Sequence, residues 1–190
     1  MSHALTPPPV LIDPVDVFLN PPDDTLYELV DGKLVEKNMS AISSWVASEI
    51  MALLRDALRR SGEGWVATEI AVMCFPWRKD HGRRPDVAVF RTDRLAGPTE
   101  ERITVAPNLV VEVLSPNDRS QEVERKVTDY LRAGVDLLWI VNPDTRNVRV
   151  HRADGTGQII AEADTITANP VVSGFSASVR DFFPKPSVST

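Results

Sequence analysis

The sequence predicts an α/β (α+β) fold in which a β-sheet packs against amphipathic helices and a β-hairpin opens the domain. Three observations predict it. Asp31-Gly32 separates two apolar-rich arms, apolar residues recur at helical spacing in two segments, and several short, nearly unbroken apolar runs suit strands buried on both faces.

Residues 1–22 carry Pro7-Pro8-Pro9, Pro14 and Pro21-Pro22, which predicts an extended arm with a short helical turn at 15–19 and no chemistry of its own. Residues 23–184 then form one domain, and 185–190 a polar tail. The arms 26–30 and 33–36 flank Asp31-Gly32, a strong short-range hairpin signal. Over residues 43–60, Trp45, Val46, Ile50, Leu53, Leu54, Ala57 and Leu58 mark the apolar side of a helix that Gly62 and Gly64 end. Residues 65–75, 84–90 and 109–114 read as strands, with Pro98 and Pro107 in the loop before the last. Asp118 and Gln121 resemble a capping box before a helix with Val123, Val127, Tyr130 and Leu131 on one side and Gly134 at its end. Residues 137–141 are a further buried strand. Residues 147–152 and 158–162 continue antiparallel across Asp154-Gly155, and 179–183 is a short final element.

The composition suits a single globular domain: 43% of 190 residues are hydrophobic and 25% charged. No apolar run approaches the ~20 residues that span a bilayer, and no basic segment followed by an apolar stretch opens the chain, so a cytoplasmic protein is expected. Cys74, the single cysteine, lies in an apolar segment and reads as core. The net charge of -6 gives the whole molecule no general attraction to polyanions, so nucleic acid would need a local patch. Arg78, Lys79, Arg83 and Arg84 offer one, unless they form an ordinary solvated loop. No HExxH, Walker-type loop or Gly-x-Ser-x-Gly is present, and His81 and His151 lack partners at metal-ligand spacing.

Glu112 is the residue most out of place, a carboxylate inside the apolar run Leu109-Val110-Val111-Glu112-Val113-Leu114. Burying it ionised and unpaired is so costly that it must find a cation or a proton. Asp86 opens another strand-like run, and if the two strands are neighbours the two acids converge. Oxygen-only ligands of this kind favour Mg²⁺ or Mn²⁺, to which the main-chain carbonyl of Val113 would add a donor. Lys126 and Tyr130, four apart, share a helix flank from which both heads reach the sheet edge. There Lys126 would polarise water or offset charge on a phosphate, with Tyr130 as a second donor, although a lysine at such spacing also suits a snorkelling surface position.

Together, Pro85-Asp86, Glu112-Val113-Leu114-Ser115-Pro116, Lys126 with Tyr130, Gly134-Val135, Trp139-Ile140-Val141-Asn142-Pro143 and Tyr27-Glu28-Leu29-Val30-Asp31-Gly32 resemble the Uma-two family of restriction-endonuclease-like proteins, within the PD-(D/E)XK nuclease superfamily. The resemblance runs from about Leu26 to Phe183. It implies a restriction-endonuclease-like core, a mixed sheet flanked by helices, with Asp86 and Glu112 as metal ligands. It also implies Mg²⁺-dependent (or Mn²⁺-dependent) hydrolysis of DNA phosphodiester bonds by activated water. Where the superfamily has a lysine two residues after the acid, this chain has Leu114, so Lys126 would supply it from the next helix. The histidine that the family often carries on its first long helix has no counterpart in residues 39–45. Glu28 is a candidate third acid, and Glu49 a weaker one; a solvent-facing strand position is the alternative for Glu28. A homodimer is expected for cutting both strands of a duplex, through residues 137–150 or the first hairpin. The competing expectation is a nuclease-fold protein without turnover, serving as a nucleic-acid-binding or assembly module.

Overall fold

The computed structural model describes residues 13–185. A six-residue helix α1 (Pro14–Leu19), capped by the Asp13 carboxylate, precedes the hairpin of β1 (Tyr27–Val30) and β2 (Lys33–Glu36). Asp31 and Gly32 both take positive φ, 51° and 78°, the turn that matches strand twist. The long helix α2 (Ala41–Ser61) follows, capped by Ser40 and ended by Gly62 at φ 70°. Next come β3 (Gly64–Thr68), β4 (Val87–Arg91), β5 (Leu109–Val113), α3 (Ser120–Ala133), β6 (Leu137–Asn142), β7 (Asn147–Arg152) and β8 (Gly157–Ala161). A small ribbon of β9 (Thr165–Thr167) with β10 (Ser176–Ser178) and a 3-10 turn (Val179–Phe182) close the chain.

The main sheet has the order β3-β4-β5-β6-β7-β8 and is mixed. Neighbours are antiparallel except β5 and β6, which α3 joins in parallel as a crossover demands. One face packs Val87, Val89, Val111 and Trp139 against Val46, Ile50 and Leu54 of α2. The other packs Ala88, Phe90, Val110 and Ile140 against Val123, Val127 and Tyr130 of α3. From Leu137 to Val141 every side chain is fully buried, so this strand offers no surface to a second copy.

Four expectations change. The run 65–75 is not one strand: β3 stops at Thr68, Glu69 turns into positive φ (53°), and Val72 makes only isolated bridges to Arg83 and Ile103. Asp118 does not cap α3. Its carboxylate closes a tighter turn by accepting the Ser115 N–H, and the helix starts two residues later without a side-chain cap. Trp45 lies off the packed face of α2, 52% exposed. Within the proline-rich arm, α1 is integral to the packing: Phe18 is fully buried beneath Gly82, where a Cβ would stand 2.4 Å from its ring.

Candidate active site

The β4–β5 register pairs Val87 with Val111 and Ala88 with Val110, so its continuation brings Asp86 beside Glu112. Both project to the α3 side and both are buried, 2% and 5% exposed. The Val113 N–H donates to Asp86 Oδ2 at 2.5 Å, which locks one carboxylate oxygen to the neighbouring strand. From α3, Lys126 Nζ lies 2.8 Å from Glu112 Oε2, and the Tyr130 hydroxyl donates to Glu112 Oε1 at 2.8 Å. Lys126 therefore points inward rather than snorkelling. Glu28 joins them from β1, its Oε1 3.0 Å from Lys126 Nζ, and it is buried rather than solvent-facing.

Behind Glu28 stands a second layer. Arg83 Nη1 donates to Glu28 Oε2 at 2.9 Å, Arg83 Nη2 to Asp129 Oδ2 at 3.0 Å, and His81 Nε2 lies 3.2 Å from the same Asp129 oxygen. Burial and the adjacent Arg83 push the His81 imidazole down, leaving it neutral, a structural donor to Asp129.

Burial, helped by Asp86 and Glu28, lifts the Glu112 carboxyl above its ordinary range in spite of Lys126. Burial opposes ionisation of Glu28 too, but Lys126 and Arg83 outweigh it and hold that group at about 2. Against its own desolvation, Lys126 is pushed up by Glu112 and Glu28, so it is an ammonium throughout the working range. Tyr130 is raised by burial and by the same two acids, which keeps it a proton donor.

Lys37 and Glu69 belong to the cluster and carried no sequence signal. Lys37, just past β2 in the polar stretch Glu36-Lys37-Asn38, places Nζ 2.6 Å from Asp86 Oδ1, 2.9 Å from Glu69 Oε2 and 2.5 Å from the Arg84 carbonyl. Asp86, Glu112 and Glu69 raise Lys37 against the effect of burial, and Glu69 is itself pushed up to about 7, chiefly by burial. A strand-end glutamate and a loop lysine look like surface residues until the chain folds them inward.

Two of the basic residues proposed for nucleic acid are not on a surface. Arg83 is 5% exposed and spent on Glu28 and Asp129; Arg84 is 7% exposed, lies over the Phe18 ring and donates to the carbonyls of Phe18, Tyr27 and Glu69. A charge run becomes core when remote segments bring matching acceptors. Arg78 and Lys79 stay exposed, with Arg78 3.5 Å from Asp31 and 3.6 Å from Asp129. Glu49 lies on α2 outside this set of contacts, and Cys74 is buried, its thiol pushed up to about 12 by burial.

The acids open into a cleft of about 200 Å³, room for several waters or a hydrated ion with a phosphate. Among the described residues no three side chains of His, Cys, Asp or Glu converge at metal-ligand spacing. The set on offer is the pair Asp86 and Glu112, and two carboxylates completed by water and substrate suit Mg²⁺. The ion-paired groups in and around that pair number five carboxyl groups against three cations, and Glu69 and Glu112, both raised by burial, are the two whose ionisation an added cation would favour.

A family model described as "Uma2: Putative restriction endonuclease" matches residues 16–180. Among solved structures, the chain is similar to one described as a "putative nuclease belonging to DUF820" from Anabaena variabilis ATCC 29413. That match has 22% identity and a TM-score of 0.71, and covers 83% of this chain and 89% of the other. At that identity the likeness shows a shared nuclease-like fold. No curated protein matches the chain.

Proposed function

This chain belongs to the Uma2 family, described as "Putative restriction endonuclease", and from that premise we propose that it is a metal-dependent endonuclease hydrolysing DNA phosphodiester bonds. The observation that carries the proposal is the buried pair Asp86 and Glu112 at adjoining strand ends, facing a cleft, with Lys126 and Tyr130 already fixed on Glu112. Asp86 and Glu112 would hold Mg²⁺ or Mn²⁺, with the Val113 carbonyl as a further donor. Bound there, the ion would supply an activated water and neutralise charge on the scissile phosphate. Lys126, kept protonated by its two carboxylates, acts as a hydrogen-bond donor and fixed positive charge rather than as a base. Glu28, gripped by Arg83, aims that ammonium, while Tyr130 holds the second oxygen of Glu112.

The cleft rim bears Glu36, Asp118 and Glu122 with Arg125, so it favours cations; Arg78, Lys79 and Arg125 are exposed positive charges available to a phosphate backbone. That acidic rim also favours the second reading, a nuclease-fold module without turnover. Supercoiled plasmid and single-stranded DNA incubated with Mg²⁺ or Mn²⁺ distinguish the two. Metal-dependent nicking lost in both Glu112→Ala and Lys126→Ala is the expected result. A folded wild type that binds DNA yet cuts no more than Glu112→Ala overturns the enzyme reading in favour of the module.

A further inference from the structure

We propose that Lys37 is the counter-ion of Asp86, and that its ammonium must leave Asp86 for a divalent cation to enter. The proposal rests on the metal-dependent reading above and assigns to that site a gate that the two acids alone do not have. Asp86 Oδ2 accepts the Val113 N–H, so Oδ1 is the oxygen more open to a metal, and Lys37 Nζ lies 2.6 Å from it. The ammonium is surrounded as a hard cation would be, by Asp86, both oxygens of Glu69 and the Arg84 carbonyl. Its side chain is 9% exposed, and its main chain is tied by the Lys37 N–H to the Leu26 carbonyl at 2.8 Å. A divalent ion on the same carboxylate oxygen would sit within a few ångströms of that fixed positive charge, and the two repel.

The two lysines differ in what holds them. Lys126 is clamped between Glu112 and Glu28, and Glu28 is itself held by Arg83 and almost inaccessible. Lys37 is shared between Asp86 and Glu69, whose side chain is 22% exposed just past the end of β3. Lys37 can therefore swing outward while still paired with Glu69, which serves as its second berth. Withdrawn from Asp86, the ammonium borders the cleft it lines together with Asp86 and Glu112, where a phosphate oxygen of the substrate would meet it.

Mn²⁺ binding to the full chain, followed by the loss of its free-ion paramagnetic resonance signal, tests this with wild type, Lys37→Met, Lys37→Arg and Glu112→Gln. Lys37→Met is expected to bind about tenfold more tightly than wild type and Lys37→Arg no more tightly, since the second keeps the charge. The chain has only five lysines, so the ε-methylene resonance of Lys37 can also be followed directly as Mg²⁺ is added. It should move with the same midpoint as metal binding, a readout that holds even if Lys37→Met fails to fold. Equal Mn²⁺ affinity in wild type and Lys37→Met, or an unmoved Lys37 resonance, with binding weakened by Glu112→Gln, overturns the gate and leaves the metal site standing. Absence of Mn²⁺ binding in every folded variant overturns the metal reading and the gate with it.

Discussion

Lys126→Met removes one charge and keeps most of the apolar stem, so its cost isolates the ion pairs that the ammonium makes with Glu112 at 2.8 Å and Glu28 at 3.0 Å. Both carboxylates lie at 6% exposure or less, and taking one partner from a buried pair costs about 3–5 kcal/mol. Tyr130 still serves Glu112 and Arg83 still serves Glu28, which places the expectation toward the lower end of that range. The deficit also has a direction with pH. Without Lys126 the folded-state value of Glu112, already above its ordinary range, rises further, so the folded variant keeps a proton that the unfolded chain has released. Such a group contributes stability below its unfolded value, and that contribution is lost as pH climbs through the folded value. The gap between variant and wild type should therefore be wider at neutral pH than near the ordinary carboxylate value of 4.5. Urea melts at both pH values measure it. Adding Glu112→Gln should recover about 1 kcal/mol or more relative to additivity. A deficit under about 1 kcal/mol at the higher pH, or one independent of pH, would mean that the ammonium does not neutralise these acids.

Glu28, held at about 2 against an ordinary 4.5, contributes stability that is present above pH 4.5 and lost as pH falls toward 2. The shift is worth about 3 kcal/mol, so Glu28→Gln should flatten the acid limb of the melting temperature. Gly82→Ala would set a Cβ 2.4 Å from Phe18 Cε1 and cost about 1–3 kcal/mol in urea; Phe18→Ala in the same chain should make the second substitution far cheaper. Cys74, 3% exposed with a thiol near 12, should resist iodoacetamide in the folded protein at about pH 8 and react once denatured; prompt labelling of the native state would contradict its packing.

Residues whose role depends on their own element could be read from the chain. The Asp31-Gly32 turn, the apolar stripe of α2, the buried run 137–141 of β6 and the intrusion of Glu112 into β5 are local patterns, and the side of the strand on which Asp86 and Glu112 lie follows from alternation alone. Lys126 and Tyr130 follow from helical spacing once Glu112 demands a partner. Lys37, Glu69, Arg83 and Arg84 could not be read so. Each becomes interior because a segment distant in sequence supplies its partner, as Arg83 reaches across 46 residues to Asp129 and 55 to Glu28. Trp45 shows the converse, an apolar residue at a suitable helical position that stays 52% exposed.

The hairpin β1–β2 and the residue following it carry Glu28 and Lys37, whereas Asp86 and Glu112 belong to the main sheet. Its main-chain ties to the segment beneath are three hydrogen bonds, the exchanged pair of Leu29 with Gly82 and the Gly32 N–H to Asp80. A two-stranded hairpin is marginal by itself, so its docking draws on the charges that it delivers. Docking of this module and assembly of the site are thus coupled through Glu28 and Lys37. Lifting the hairpin would take Lys37 from Asp86 and Glu28 from Lys126 at once, and anything that engages the assembled cluster should slow hydrogen exchange at the amides of residues 27–37 before it slows exchange in the sheet core.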